Sequence, residues 1–310
     1  MTSSVIPIGL IGYGKIARDQ HVPAIRGDDR FRLAGAVDPH PVPGDLPCYP
    51  DLPALIAAQA VAAVAICTPP GARVAAAREA VAAGLHVLLE KPPGVTVSEV
   101  EALAAMAADA GVTLFTAWHS QEAAGIDDAR AWLAHRPIGS VRVCWKEDIR
   151  VWHPGQEWIL DAGGFGVFDP GINALSILTD ILPLPLKALA AELSVPRGRA
   201  QPIAASLMLQ AGAVPVSAEF DFLHEGEQRW DIEIDTADGV LKLALGGAAL
   251  SIAGKTIAVG ANAEYPRLYA RFADLIAAGT SDVDLAPFSL VADLIGIATR
   301  RETGAFTFER

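Results

Sequence analysis

The sequence predicts an α/β protein in two parts: a doubly wound parallel sheet flanked by helices, then an α+β domain on a large, mostly antiparallel open sheet. Three observations carry this. Short β-rich runs alternate with alanine-rich helical stretches over the first third of the chain, the pattern of βαβ units. A glycine turn, Gly12-Tyr13-Gly14, directly follows the first run. After Trp118 the apolar period falls to two, with glycine turns between runs, as in half-buried antiparallel strands. At 310 residues two domains are a better expectation than one core, divided here as 1–118 and 119–310.

In chain order, the inner strands are expected at Ile6 to Ile11, Phe31 to Val37, Val61 to Cys67, Leu85 to Leu89 and Val112 to Ala117. Gly71 to Ala83 and Thr96 to Ala110 have helical periodicity, with Gly84 and Gly111 where C-caps belong. A helix is expected over Gln121 to Ala134. Alternation then marks strands at Val141 to Ile149, Ile203 to Leu209, Val216 to Phe222, Trp230 to Asp235 and Val240 to Leu245, with turns at Ala237-Asp238-Gly239 and Gly246-Gly247. Tyr265 to Ala278 and Phe288 to Arg301 close the chain as helices.

Composition narrows the function. The net charge is −12 with no basic run, which argues against nucleic acid or an anionic membrane and favours a small neutral substrate. The three cysteines, Cys48, Cys67 and Cys144, form no Cys-x-x-Cys pair, so a reduced, cytoplasmic protein is expected. The N-terminus lacks a basic n-region, and no apolar stretch is long enough to span a bilayer. No His-Glu-x-x-His, cysteine pair or aspartate-rich loop points to a metal. Ser120 and Ser176 lack the context of a catalytic serine.

The segment from Gly12 to Ala17 matches Gly-x-Gly-x-x-Ala between a strand and a helix. Gly12 permits the turn, Gly14 lets backbone approach a pyrophosphate, and Ala17 allows close helix packing, with Lys15 and Ile16 opening the helix. Asp38 ends the second strand, 26 residues after Gly12, where a carboxylate can accept hydrogen bonds from an adenosine ribose diol. A Rossmann dinucleotide-binding domain follows. Asp38 repels the extra phosphate of NADP, so NAD is the expected cofactor and NADP the alternative. Two further strand ends, Cys67-Thr68-Pro69-Pro70 and Glu90-Lys91-Pro92-Pro93, would wall the cofactor, Thr68 offering a hydroxyl and an amide; the alternative reading is ordinary turn chemistry. Lys91, one of only six lysines, is pushed out at the carboxyl end of an apolar strand by two prolines, where open α/β sheets bind ligands.

The glycine loop, Thr68-Pro69, Glu90-Lys91-Pro92 and Asp169-Pro170-Gly171 occur in the order and spacing of the glucose-fructose oxidoreductase and inositol dehydrogenase family, Gfo/Idh/MocA, which the chain resembles over nearly its whole length. Gly12 to His21, Trp145-Lys146-Glu147-Asp148, Trp152 to Gln156 and Phe168 to Ser176 are similar, more narrowly, to its D-galactose and L-arabinose 1-dehydrogenases. The resemblance implies oxidation of an aldose at C1 to a lactone, with hydride passing to nicotinamide. Many family members carry a histidine where this chain has Asn173, so an aspartate-histidine dyad does not carry over.

Such a reaction needs a proton acceptor beside C1. Lys91 is the first candidate, since the nicotinium charge and partial desolvation favour a neutral amine. Asp169 is the second, either taking the proton itself or holding Lys91; the preferred reading is Lys91 acting with Asp169. Asn173, four residues on, is a hydroxyl reader on the same helix face. The resemblance places Glu147 and His153 near sugar hydroxyls; taken alone they read as a strand-face charge and a loop histidine. His119 would reach the nicotinamide ribose or the substrate, or cap the next helix. Among the tryptophans, Trp152 and then Trp230 are the candidates for packing on a sugar face. The competing readings are a non-catalytic sugar or dinucleotide sensor and an inositol-type secondary alcohol dehydrogenase. An uncovered face of the second sheet would suit a homodimer or higher homo-oligomer.

Overall fold

The computed structural model describes residues 5–40 and 46–309; residues 1–4, the start of the N-terminal stretch that lacks a basic n-region, lie outside them. The chain forms two compact units. The first takes the chain through His119 and also Glu264–Asp284, and the second holds Ser120–Ala263 and the chain from Leu285. Nothing in the sequence division at 118/119 signalled the return of Glu264–Asp284.

The first unit is built on β1 (Ile6–Ile11), β2 (Phe31–Val37), β3 (Cys48–Tyr49), β4 (Ala63–Ile66), β5 (His86–Glu90) and β6 (Leu114–Ala117), in the order β3-β2-β1-β4-β5-β6. Every pairing is parallel. All four residues of β4 are buried, as a strand covered on both faces requires. Strand order reverses between β1 and β4, so the glycine loop and Thr68 share one switch point, the crevice where such sheets take ligands. Thr96 makes a capping box with Glu99, and Gly84 and Gly111 take the positive φ expected of them. The helix Glu264–Ala278 buries Tyr265, Leu268, Tyr269 and Phe272 among Ile8, Leu10, Leu88 and Phe115.

The second unit centres on nine strands: β7 (Ile138–Lys146), β8 (Leu186–Pro196), β9 (Ala204–Ala211), β10 (Val214–Asp221), β11 (Arg229–Thr236), β12 (Gly239–Ala244), β13 (Ala249–Ile252), β14 (Lys255–Ile257) and β15 (Thr299–Thr303). Their order is β14-β13-β12-β11-β7-β10-β9-β8-β15. Only β7 with β10 and β8 with β15 pair in parallel. In β10 buried residues alternate strictly with exposed or half-buried ones, so one face of the sheet is apolar.

Three sequence expectations change here. The helix expected over Gln121 to Ala134 is only Ile126–Leu133. Gly125 stops it from starting earlier: its N–H donates to Gly247 O at 2.9 Å, and a Cβ there would collide with that oxygen. The strand expected to reach Ile149 ends at Lys146, because Asp148 caps a helical turn, Ile149–Trp152, by accepting from Arg150 N at 2.9 Å. The last helix runs Ala286–Ile297 rather than to Arg301, and the residues beyond it become β15 beside β8.

Candidate active site

In the first unit, the glycine loop is shaped by one unusual residue. Gly12 has φ 86°, and a Cβ on it would lie 2.9 Å from Thr68 N, so the ends of β1 and β4 meet backbone to backbone. At Gly14 a Cβ would meet nothing within 4 Å, leaving open space above the helical turn that begins at Lys15. The Thr68 hydroxyl is buried with no hydrogen-bond partner among the described residues. Asp38 accepts Tyr13 N and His40 N, both at 2.8 Å, one on each carboxylate oxygen. Lys15 pairs with Asp19 on the exposed helix surface, beside an exposed Ile16.

Arg73, from the helix Pro70–Ala82, is buried and donates to Thr68 O and Pro92 O. It thereby clasps the two proline loops that follow β4 and β5. Lys91, half-buried, follows Glu90 at the end of β5, and the Lys91–Pro92 peptide is cis. Glu90 is only 2 % exposed. Its Oε1 accepts from Tyr265 Oη at 2.6 Å and lies 3.0 Å from His21 Nε2, while Oε2 accepts the Lys91 N–H at 2.8 Å. Burial by itself would raise the Glu90 pKa. The hydrogen bond and charge of His21, then His119 and Tyr265, outweigh it and hold the carboxyl well below its usual range. Burial likewise opposes charge on His21, but Cys67, Tyr269 and Glu90 lift its pKa well above the ordinary value. His119 pairs with Glu264 and stacks on Tyr265 at a centroid distance of 5.5 Å.

In the second unit, Glu147 follows β7 directly, and the turn Ile149–Trp152 brings His153 back toward it. His153 Nε2 lies 3.2 Å from Glu147 Oε1 and 4.0 Å from Asp169 Oδ2. The other Glu147 oxygen accepts Trp230 Nε1–H at 2.8 Å. Glu147 and Asp169 are both buried. Asp169 stands in the first turn of the helix Phe168–Ile181, with half-buried Asn173 one turn later. That helix presses onto β10 because Gly171 has no side chain: a Cβ would come within 2.5 Å of the Phe220 ring. Trp152 tilts against Trp230 at 4.7 Å, and Trp145 stacks behind Trp230 at 6.1 Å.

Thus Glu147, His153, Asp169 and Trp230 form one cluster, with Trp152 against Trp230, and the first unit gathers the glycine loop, Asp38, the proline loops and Lys91. The sequence reading passed over His21, Tyr265, Tyr269 and Arg73 as functional candidates. Two tyrosines spaced by four on the buried side of an amphipathic helix were the available signal, because each buried hydroxyl needs a partner.

The family model for the Gfo/Idh/MocA oxidoreductases, NAD-binding Rossmann fold, matches residues 6–118. A galactose 1-dehydrogenase from Pseudomonas fluorescens is 46% identical over 305 residues, covering 97% of this chain and 98% of the relative. The chain belongs to the Gfo/Idh/MocA family. Among solved structures, a D-galactose-1-dehydrogenase protein from Rhizobium etli superposes with a TM-score of 0.94 at 46% identity, over 99% of both chains. A 3-ketoreductase from Actinomadura kijaniata, in complex with TDP-benzene and NADP, shares the fold at a TM-score of 0.85 and 19% identity, over 97% of this chain and 100% of that one.

As a Gfo/Idh/MocA oxidoreductase, the chain is an NAD-binding dehydrogenase, and its first unit suits that cofactor. Gly14 leaves room above a helix start, the buried Thr68 hydroxyl lacks a partner among the described residues, and Asp38 keeps acceptor capacity on both oxygens. Among the described residues no group of His, Cys, Asp or Glu side chains could hold a metal ion, and no helix is long and apolar enough to cross a membrane.

Proposed function

We propose that this dehydrogenase oxidises the anomeric carbon of an aldopyranose, D-galactose or L-arabinose, to the lactone. The observation that carries this is the second unit's cluster, in which the His153 imidazole stands between Glu147 and Asp169 beside Trp152 and Trp230. Two carboxylates flanking an imidazole supply acceptors and a donor for ring hydroxyls, and aromatic faces suit the C–H faces of a pyranose. The relatives named for galactose support the substrate class.

NAD, when bound, accepts the hydride from C1. Lys91 and Asp169 handle the anomeric proton, while Glu147, His153 and Asn173 hold the remaining hydroxyls and Trp152 and Trp230 the ring faces. His119 serves the nicotinamide ribose or the sugar. Gly12 to Ile16, Asp38, Cys67 to Pro70 and Glu90 to Pro92 line the cofactor. The two sugars match from C2 to C4 and differ by one exocyclic CH2OH, a difference worth only about 1 to 3 kcal/mol. The Asp38 carboxylate supports NAD over NADP. Three free cysteines support a reducing, cytoplasmic setting. Exposed Leu189 and Met208 on the second unit's sheet support a homodimer or higher homo-oligomer, which light scattering would check.

The test is reduced-nicotinamide absorbance across a panel of aldoses and inositols. Turnover is expected with galactose and arabinose. No reduced cofactor with any sugar would refute the reading, and turnover confined to inositols would move the substrate.

A further inference from the structure

Glu90 is a buried carboxylate next to the residue proposed to take the proton, and no step uses it. Its surroundings are built with care. Each Glu90 oxygen is engaged, Oε1 by Tyr265 Oη and His21 Nε2 and Oε2 by the Lys91 N–H. His21 is 0% exposed, its Nδ1 lies 2.7 Å from Tyr269 Oη, and its ring stands edge-on to Tyr265 and Tyr269 at 5.0 and 5.8 Å. His21 lies on the helical segment after the glycine loop, Glu90 on β5, and the tyrosines on the helix Glu264–Ala278. A strand end needs no ions for stability alone, because well-packed apolar residues replace a buried ion pair at little or no cost.

We propose that His21 is a positioning residue for proton handling at Lys91: its imidazolium cancels the charge of Glu90, and Glu90 in turn holds the peptide that carries the Lys91 side chain. The proposal rests on the reading of Lys91 as proton acceptor. With the pair complete, Lys91 follows a buried group of zero net charge. Without the His21 charge a lone buried carboxylate stands next to it, favours the ammonium form of the amine, and opposes acceptance of the sugar proton. The titratable groups around His21 are Cys67 at the end of β4, Glu90 on β5, and Tyr265 and Tyr269 on the 264–278 helix, with the His119–Glu264 pair behind Tyr265. Both tyrosines are pushed up by burial, and so stay neutral across the assay range. The His21–Glu90 balance therefore sets the local charge.

The experiment is the pH profile of kcat and kcat/KM for the intact protein and for His21→Gln, Glu90→Gln and the double variant, with thermal melts confirming folding. Gln at position 21 keeps a donor for Glu90 and drops the charge. The acidic limb should move upward in His21→Gln by about one pH unit, the size expected for a unit charge on the order of 10 Å away at an effective dielectric near 20. It should move the other way in Glu90→Gln and return toward the original in the double variant. A purely structural pair would instead lower turnover evenly at every pH, with no recovery in the double variant, and that result overturns the proposal. If His21→Gln fails to fold, the Glu90→Gln shift decides, and an unmoved limb there overturns it equally. Lys91→Met separates the two readings. Near-wild-type turnover in Lys91→Met sinks both, whereas a dead Lys91→Met with unmoved limbs in the other variants sinks only this one.

Discussion

The proposed chemistry assigns the anomeric proton to Lys91 and Asp169. Lys91→Met and Asp169→Asn should each lower kcat at least a hundredfold, the scale of a lost general base, in steady-state assays with galactose. A variant that keeps near-wild-type turnover removes its residue from the mechanism. Trp230 acts differently, through its N–H to Glu147. Trp230→Phe keeps ring faces but leaves a buried carboxylate oxygen short of a donor, costing about 1 to 3 kcal/mol; a lower melting temperature and a KM rising more than kcat falls are expected. Asp38 should give a kcat/KM ratio favouring NAD over NADP, and the opposite ratio would refute its role. At this scale the turn at Gly12 was legible, since its φ of 86° is the one the motif needs. The pairings of the buried polar groups were not: His21 and Glu90 are separated by 69 residues and His21 and Tyr269 by 248, and no local pattern encodes such pairings.

The elements that hold the site are legible where a stop signal is written in the chain. Thr96 and Gly111 bound their helix as expected, because capping is local chemistry. The last helix ends one residue after Gly296, a break that periodicity read through to Arg301, whereas Thr299–Thr303 pairs with Leu186–Pro196 more than a hundred residues earlier. That contact is tertiary, and it outweighs propensity. The helix Phe168–Ile181 gives the sharpest test of an element. Its approach to β10 depends on Gly171, where a methyl would enter the Phe220 ring. Gly171→Ala should cost about 1 to 3 kcal/mol through overpacking, seen as a lower melting temperature, and lower kcat by shifting Asp169. Unchanged stability and turnover would show that the helix tolerates retreat.

Over the whole molecule, the His21–Glu90 pair links stability to pH. The raised pKa of His21 means that its contribution is complete below its unfolded value, near 6.5, and fades as pH climbs through the folded one. The lowered pKa of Glu90 means the reverse: its contribution is complete above about 4.5 and fades as pH falls. The pair should therefore stabilise most between those values. Urea unfolding of the wild type against the His21→Gln, Glu90→Gln double variant should show a larger gap at pH 5.5 than at pH 9; equal gaps would contradict the linkage. The two sheet types were legible from periodicity alone, since each period reports which faces are buried. The return of Glu264–Asp284 to the first unit was invisible, because an amphipathic helix does not name the surface it covers. That return governs how the protein is made. When all six strands of the nucleotide-binding unit have left the ribosome, Tyr265, Tyr269 and Phe272 are still untranslated, so the unit waits with Glu90 short of a partner and part of its apolar core open. A nascent chain stalled just after residue 120 clears the exit tunnel should be open to protease, and one stalled after residue 284 clears it should resist.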